Sequence, residues 1–141
     1  MNFPSLTFYT QRLPAGVGGL AVGPVVLIQP QYCNDVGIHC HEQEHVRQWW
    51  VVGLVAGVLV GALVDLTLAL AFVIGVHPML YQFVRRYRQW AEVRAYVVQM
   101  RFPNASGVPL TLAGAAMRLM FSRYRLRLTL SEAKFLLLKG L

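Results

Sequence analysis

Charge, and acidic charge above all, is scarce in this chain of 141 residues, which has 6 Asp and Glu against 13 Lys and Arg. Charged residues make up 13% of the sequence, whereas soluble domains average about 25%. Apolar residues make up 56%. This imbalance points to a membrane or to a large buried interface. The length predicts a single domain over residues 1–141.

Cysteines are also few, and Cys33 and Cys40 are the only two, which excludes a disulfide framework. They could pair across a short loop, or Cys40 could serve as a soft metal ligand, but buried free thiols are the simpler interpretation. Residues 1–10 lack a basic start followed by an apolar core, so no cleavable signal peptide is expected. The chain has no internal repeat and no low-complexity tract.

The most informative pattern is an HExxH motif, His41-Glu42-Gln43-Glu44-His45. On a helix, His41 and His45 project from one face, one turn apart, so that both imidazoles can bind one metal ion. Glu42 then reaches a water molecule on the metal, and zinc lowers the pKa of that water toward about 7. The motif therefore predicts a zinc site with Glu42 as general base. The structural alternative is a polar helix start with two solvated histidines.

A catalytic zinc has three protein ligands and one open position, so a third ligand is needed. The candidates closest in sequence are poor. His39 and Cys40 flank the motif but point off its face, and His77 precedes Pro78 at an expected helix boundary.

Glu92 is the better candidate for the third ligand. It lies in residues 87–99, which have helical composition, and it shares a helix face with Ala95. The small Ala95 side chain would let this helix pack close to the motif helix. The alternative is a surface ion pair between Glu92 and Arg88, four residues earlier.

With these residues, the chain resembles the gluzincin class of zinc metallopeptidases, in which HExxH lies on one helix and a glutamate on a later helix is the third ligand. It is similar in particular to small metallopeptidase-like proteins of bacteria and their phages. The resemblance covers roughly residues 20–50 and 80–100. It implies Zn²⁺ as the cofactor, His41, His45 and Glu92 as its ligands, and Glu42 as the general base.

A long apolar stretch separates the two halves of this site. From residue 49 to residue 83 the only formal charge is Asp65, and these roughly 35 residues suit one tilted span or two short ones, since a span needs about 20. A single span would place the ligands on opposite sides of a bilayer. A shared zinc therefore predicts a helical hairpin, with Asp65 capping the second arm after a turn. The arms could lie in lipid or in a protein core.

The charge distribution bears on localisation. Eleven Lys and Arg follow Val84, and two precede Trp49, so the positive-inside tendency places the C-terminal half, and with it the site, in the cytoplasm. The prediction is a membrane-associated protein with its active site facing the cytoplasm. The alternative is a soluble cytoplasmic protein. The basic residues 85–88 suit juxtamembrane anchoring, and no recognised motif for specific nucleic-acid binding accompanies the basic clusters.

The predicted fold is α+β and mainly helical. It comprises a short N-terminal β-hairpin, the HExxH helix, the apolar hairpin inserted at 49–83, a Glu-bearing helix and C-terminal helices. The strands are expected at residues 19–22 and 25–28, and the motif helix at residues 35–50 with Asp35 as N-cap. Residues 123–128 alternate basic and apolar side chains, as one solvated face of a strand would. Thr129 begins a capping box for the last helix.

These predictions converge on a zinc metallopeptidase that hydrolyses a peptide bond in a peptide or protein substrate. An extended substrate would add to the edge of one of the predicted strands. Tyr96 or Arg94 would stabilise the oxyanion. Two alternatives are a small membrane-interaction protein with an incidental or structural metal and no turnover, and an inactive relative that keeps the metal. The sequence does not define the oligomeric state.

Overall fold

The computed structural model describes residues 3–141. Helices make up 62% of the described residues and a small sheet lies at their N-terminal end, which confirms the α+β, mainly helical fold class. The strands are β1 Leu6–Tyr9, β2 Gly19–Val22 and β3 Val25–Ile28, and the helices are α1 Val36–Leu63, α2 Leu66–Phe83, α3 Arg85–Gln99, α4 Leu112–Leu119 and α5 Leu130–Gly140. Two short 3₁₀ turns lie at Pro30–Tyr32 and Ser122–Tyr124.

The predicted β-hairpin is confirmed at its expected bounds. Strands β2 and β3 pair antiparallel, and Gly23 supplies the positive φ of 59° that their tight turn requires. Sequence reasoning missed β1, which pairs parallel to β3. The order β1-β3-β2 places β3 in the centre, where Val26 and Ile28 are buried. Strand β2 therefore has a free edge within residues 3–141.

Helix α1 is longer than the predicted motif helix, which was wrongly ended at residue 50. It begins as expected, with the Asp35 carboxylate accepting a hydrogen bond of 2.8 Å from the Ile38 backbone N–H. It then continues without a break for 28 residues, about 42 Å at 1.5 Å per residue. The HExxH segment and the first apolar arm are thus one continuous helix, because neither proline nor glycine lies between His45 and Gly53.

The apolar stretch doubles back near Asp65, as predicted. The Asp65 carboxylate caps α2 by accepting hydrogen bonds from the backbone N–H groups of Thr67 and Leu68, at 2.7 and 3.1 Å. By length and composition, α1 and α2 are both suited to cross a membrane. Within their most apolar windows only 28% and 11% of the residues are buried. The hairpin therefore projects from the rest of the protein with most of its surface uncovered.

A helix break was wrongly expected at Pro78, which instead lies inside α2. Proline cannot donate to the carbonyl four residues earlier, here that of Ile74. The indole N–H of Trp49 donates to this carbonyl at 3.2 Å. The first arm thus supplies the hydrogen bond that the second arm lacks, and His77 stays helical.

Glycines at four-residue spacing bring the two arms into close contact. A Cβ atom on Gly53 would lie 2.3 Å from the Val73 carbonyl oxygen, and one on Gly57 would lie 2.3 Å from a Val73 methyl carbon. A Cβ on Gly61 would lie 3.2 Å from Ala69 Cβ. Small residues every four positions commonly allow close helix packing in membranes, and this spacing is a sequence signal for the hairpin in addition to the metal ligands.

Gly53→Ala is expected to destabilise the hairpin by about 1–3 kcal/mol, since the added methyl group overlaps backbone of α2. Gly75→Ala is the matched control, because Gly75 is helical and a Cβ there meets nothing within 4 Å. It should stabilise α2 by up to about 1 kcal/mol through helix propensity. Urea unfolding in detergent, followed by circular dichroism, measures both. Equal stabilities for the two variants would contradict the close crossing.

Helix α3 joins the hairpin to the C-terminal helices. Its Val93, Tyr96 and Val97 form a core with α4, α5 and the segment before α5, where Leu119 and Leu137 are fully buried. The capping box at the start of α5 is confirmed.

Residues 123–128 do not form the expected strand. A 3₁₀ turn ends at Tyr124, and Arg125 and Arg127 then adopt positive φ angles of 51° and 52°. Two left-handed residues flanking Leu126 turn its side chain into the core, where it is 1% exposed. The guanidinium of Arg88 donates to the Tyr124 carbonyl at 2.8 Å. The backbone carbonyl of Tyr124 is therefore hydrogen-bonded by a side chain and not by a neighbouring strand.

Candidate metal centre

The structure brings together the residues that the sequence predicted as ligands. His41, His45 and Glu92 each offer a ligand atom, and these atoms all lie within 4.8 Å of one another. His41 Nε2 is 3.8 Å from Glu92 Oε2, and His45 Nε2 is 3.5 Å from Glu92 Oε1. Two ligands on a tetrahedral zinc lie about 3.4 Å apart, given bonds of about 2.1 Å. The two imidazole–carboxylate distances are therefore close to the spacing of ligands on one metal ion.

Small residues and one amide hold α1 and α3 together at this point. Ala91 and Ala95 are fully buried, which lets the helices approach closely, as predicted for Ala95. The Gln48 side-chain amide donates to the Ala91 carbonyl at 3.1 Å. The ligands on the two helices therefore share a fixed geometry.

Glu92 is 1% exposed, so the alternative of a surface ion pair with Arg88 is wrong. The Arg88 guanidinium donates to backbone carbonyls of Tyr81, Gln82 and Tyr124. Because these hydrogen bonds hold the guanidinium at those carbonyls, Arg88 does not pair with Glu92. The Glu92 carboxylate lies next to His41 and His45 instead.

Two further side chains orient the ligands. Because the Gln48 amide N–H₂ is engaged with Ala91, its Oε1 accepts from His45 Nδ1 at 3.1 Å. This contact fixes the His45 tautomer with Nε2 free to bind a metal. The Tyr81 hydroxyl donates to Glu92 Oε1. Sequence reasoning missed both residues, although Gln48 is three positions after His45 and thus near it on the helix face.

Unpaired buried atoms mark the same place. Within residues 3–141, the buried side-chain polar atoms without a hydrogen-bond partner are His41 Nδ1 and Glu92 Oε2. A buried carboxylate oxygen without a partner is costly, on the order of 1–3 kcal/mol or more. Glu92 Oε2 lies 3.8 Å from His41 Nε2, and the other carboxylate oxygen lies 3.5 Å from His45 Nε2. A cation between these three side chains would remove that cost.

Burial shifts the pKa values of His41, Glu92 and Glu42. It lowers the pKa of His41 well below its usual range, so the imidazole is neutral and able to bind a metal near pH 7. Burial also raises the pKa of Glu92, against the opposing effect of His45. For Glu42, burial raises the pKa to about 7, and the neighbouring Glu92 charge adds to the effect.

Glu42 lies beside the ligand group under strand β2. A Cβ on Gly19 would come within 2.8 Å of the Glu42 side chain, so glycine is required for the strand to pass this close. The backbone of Ala21 is near enough to oppose the rise in the pKa of Glu42. The free edge of β2 and the Glu42 carboxylate therefore face the same space.

That space is a cavity of about 660 Å³ lined by Glu42, by the three candidate ligands and by β2. A smaller cavity of about 190 Å³ adjoins His41 and Glu42 on the side of Tyr96. Arg123 and Tyr124 line both cavities, and sequence reasoning had not selected either residue for the site.

The two oxyanion candidates have different surroundings, and only Tyr96 lies next to a candidate metal ligand. Tyr96 lines the smaller cavity, its ring centroid lies 4.5 Å from that of His41, and its hydroxyl bonds that of Tyr124 at 2.8 Å. Arg94 turns toward Glu44, with Nε 3.9 Å from the carboxylate.

The remaining ligand candidates occupy other positions. His39 bonds the Cys33 carbonyl through Nε2 at 3.1 Å. Cys33 and Cys40 are both free thiols, but the expectation that they are buried is wrong, since Cys33 is exposed and Cys40 is half-buried. His77 lines the larger cavity but its Nδ1 bonds the Tyr87 hydroxyl at 2.5 Å. The group that satisfies metal spacing among the described residues is His41, His45 and Glu92.

Comparison of the chain with models of known families, with curated proteins and with solved structures found no match.

Proposed function

We propose that this protein is a zinc-dependent metallopeptidase of gluzincin type. His41, His45 and Glu92 would hold the ion, with Glu42 as the general base. The observation that carries the proposal is the convergence of three ligand atoms within 4.8 Å, two on buried side chains and one on the half-buried His45. They lie next to the buried carboxylate of Glu42, which lines an open cavity. A structural metal does not require such a carboxylate or an accessible position, whereas hydrolysis requires both.

The chain's own residues would divide the work of hydrolysis. Zinc, when bound, supplies a Lewis acid that polarises the scissile carbonyl and acidifies a water molecule. Glu42 accepts the proton of that water and passes it to the leaving amine. An extended peptide pairs its backbone with the free edge of β2, which positions the scissile bond over Glu42. Tyr96 would donate to the oxyanion, with its hydroxyl oxygen accepting a hydrogen bond from the Tyr124 hydroxyl so that its own proton is free.

The location that best suits the hairpin is a membrane. Its arms expose large apolar side chains, among them Leu54, Val58, Leu63, Leu66 and Leu70, which are 46–80% exposed. We place the metal site at the cytoplasmic face, because the basic C-terminal half lies on the same side of the hairpin. The same exposed surface supports the second candidate function, a membrane-interaction protein without turnover. Metal content and hydrolysis distinguish the two.

The purified protein is expected to carry about one zinc per chain, since two imidazoles and a carboxylate suit a tetrahedral site with one open position. His41→Ala should release most of it. His39→Ala is the matched control, because His39 lies two residues away and contacts the Cys33 carbonyl. Elemental analysis after gel filtration gives the content. A parent protein without zinc, or equal zinc in both variants, would reject the metal site.

Both ends of the hairpin are expected on one side of the membrane. Single cysteines at Val36 and Ala105, in a background lacking Cys33 and Cys40, test this in sealed vesicles with an impermeant maleimide. Both positions are exposed, and each should be labelled from the same side. Labelling from opposite sides is incompatible with a zinc shared by α1 and α3.

A further inference from the structure

We propose that the substrate is an extended apolar peptide segment that leaves a lipid bilayer beside the hairpin, and that the larger cavity binds it there. This inference rests on the proposed peptidase function and names the class of substrate for that site. It is carried by the composition of the cavity wall, by the position of that wall against the hairpin, and by the free edge of β2.

The wall of the larger cavity has two chemically different parts. Around the ligand group it is polar, with Glu42 and the hydroxyl groups of Tyr81 and Tyr124. The remainder is mostly apolar and is formed by β2 and the two hairpin arms: Leu20, Val22, Trp49, Ile74 and Pro78. A peptide that reaches the metal ligands must therefore place side chains against an apolar surface. Polar side chains would lose hydration there without gaining partners.

The apolar wall leads from the metal ligands to the hairpin. Trp49 lies one helical turn after His45 on α1, on the same face. Its indole bonds the Ile74 carbonyl across the hairpin at 3.2 Å, and Ile74 is 63% exposed. The wall is thus continuous with the outer apolar surface of the hairpin. A substrate side chain bound near Trp49 would therefore lie next to the lipid or water that surrounds the hairpin arms.

Aromatic and basic residues place the cavity at the level of a membrane surface. Trp49 and Trp50 stand at the start of the apolar stretch, with ring centroids 4.7 Å apart. Arg85 and Arg86 lie two and three residues after its end. Tryptophan and arginine concentrate at the boundary between lipid tails and water. Since Trp49 also lines the cavity, the cavity opens where a membrane-embedded peptide would enter water.

Strand β2 selects an extended conformation. Its outer edge is free within the described residues, and Gly19 brings it against Glu42. A peptide added to this edge places alternate side chains toward the apolar wall. The specificity expected is for apolar side chains at alternating positions, and the reaction is hydrolysis of one peptide bond by water, which yields a carboxylate and an amine.

Two peptides of equal length test the substrate class, one with Leu and Val at alternate positions and one with Ser and Asn in their place. Each is offered to the zinc-loaded, vesicle-reconstituted protein, both free and attached to the same vesicles by an acyl chain at either terminus. The apolar peptide should be cut with a kcat/KM at least about 10-fold higher. Vesicle attachment at one terminus should raise its rate further.

Equal rates for the two peptides would overturn the proposed specificity, and no gain from attachment at either terminus would overturn the membrane presentation. In both cases the peptidase function stands. Absence of hydrolysis of every peptide by the zinc-loaded protein would instead reject the proposed function itself.

A matched pair of variants tests the binding site from the protein side. Leu20 on β2 lines the cavity and is 40% exposed, whereas Phe8 on the other edge strand is 53% exposed and lies outside it. Leu20→Asp should lower kcat/KM for the apolar peptide about 10-fold or more while zinc content is unchanged. Phe8→Asp should leave both unchanged. Equal kcat/KM for both variants would remove β2 from the substrate site.

Discussion

Glu42→Gln is expected to lower the rate of peptide hydrolysis by about 100-fold or more while leaving zinc in place. Glutamine keeps the size and hydrogen-bonding shape of the side chain but cannot accept a proton, and general bases contribute on the order of 10²–10⁴ in rate. Glu42 is not among the three side chains at ligand spacing, so metal content should not change. The rate of cleavage and the zinc content are measured on the same preparation.

Glu44→Gln is the matched control for this variant. Glu44 lies two residues away on the same helix and is also buried, but its carboxylate accepts two hydrogen bonds of 2.7 Å from Arg47. Its loss should affect stability modestly and the rate little. A Glu42→Gln protein that cuts at the parent rate would reject Glu42 as base. Equal losses in both variants would point to damage to α1 instead of lost proton transfer.

The candidate site could be predicted because each of its parts has a short sequence pattern of its own. The HExxH spacing fixes the relative position of His41 and His45 on any helix. Asp65 signals a reversal, and the reversal is what allows Glu92 to return to them. The strands at 19–22 and 25–28 were likewise predicted from a local apolar pattern and the Gly23-Pro24 turn.

The remaining features depend on tertiary contacts that no local pattern carries. Pro78 was expected to end a helix, and the helix continues because Trp49, 29 positions earlier in the sequence, bonds the carbonyl that proline leaves free. Residues 123–128 have strand periodicity, yet the Arg88 side chain takes up a carbonyl that a neighbouring strand would have paired. In both cases a distant side chain overrides the local preference.

One missed feature did have a sequence signal. Gly53, Gly57 and Gly61 recur every four residues within an apolar helix, which is a pattern of close helix packing. The hairpin had been predicted from the metal ligands on either side of the apolar stretch and from Asp65 as the cap of its second arm. The glycine spacing predicts the same close pairing of arms independently, and it identifies the face of α1 that contacts α2.

Glu92→Ala is expected to weaken zinc binding by at least about 100-fold, because loss of a group that merely orients a ligand already costs 10–100-fold. Glu92→Gln should lose nearly as much, since the neutral amide cannot balance the ion's charge. Chelator competition gives the affinities. Zinc should also raise the Tm of the parent protein, since zinc at 100 times its Kd adds about 2.7 kcal/mol, and this increase should vanish in both variants.

Tyr81→Phe provides an intermediate case in the same measurement of zinc affinity. It removes the hydroxyl that donates to Glu92 Oε1 and leaves all three ligands, so its affinity should fall between those of the parent and Glu92→Ala. That order is expected only if Glu92 binds the metal and Tyr81 orients it. Unchanged zinc affinity in Glu92→Ala would remove Glu92 from the site. His77, which lines the same cavity, and Cys40, a free thiol on α1, would then be the third-ligand candidates to substitute next.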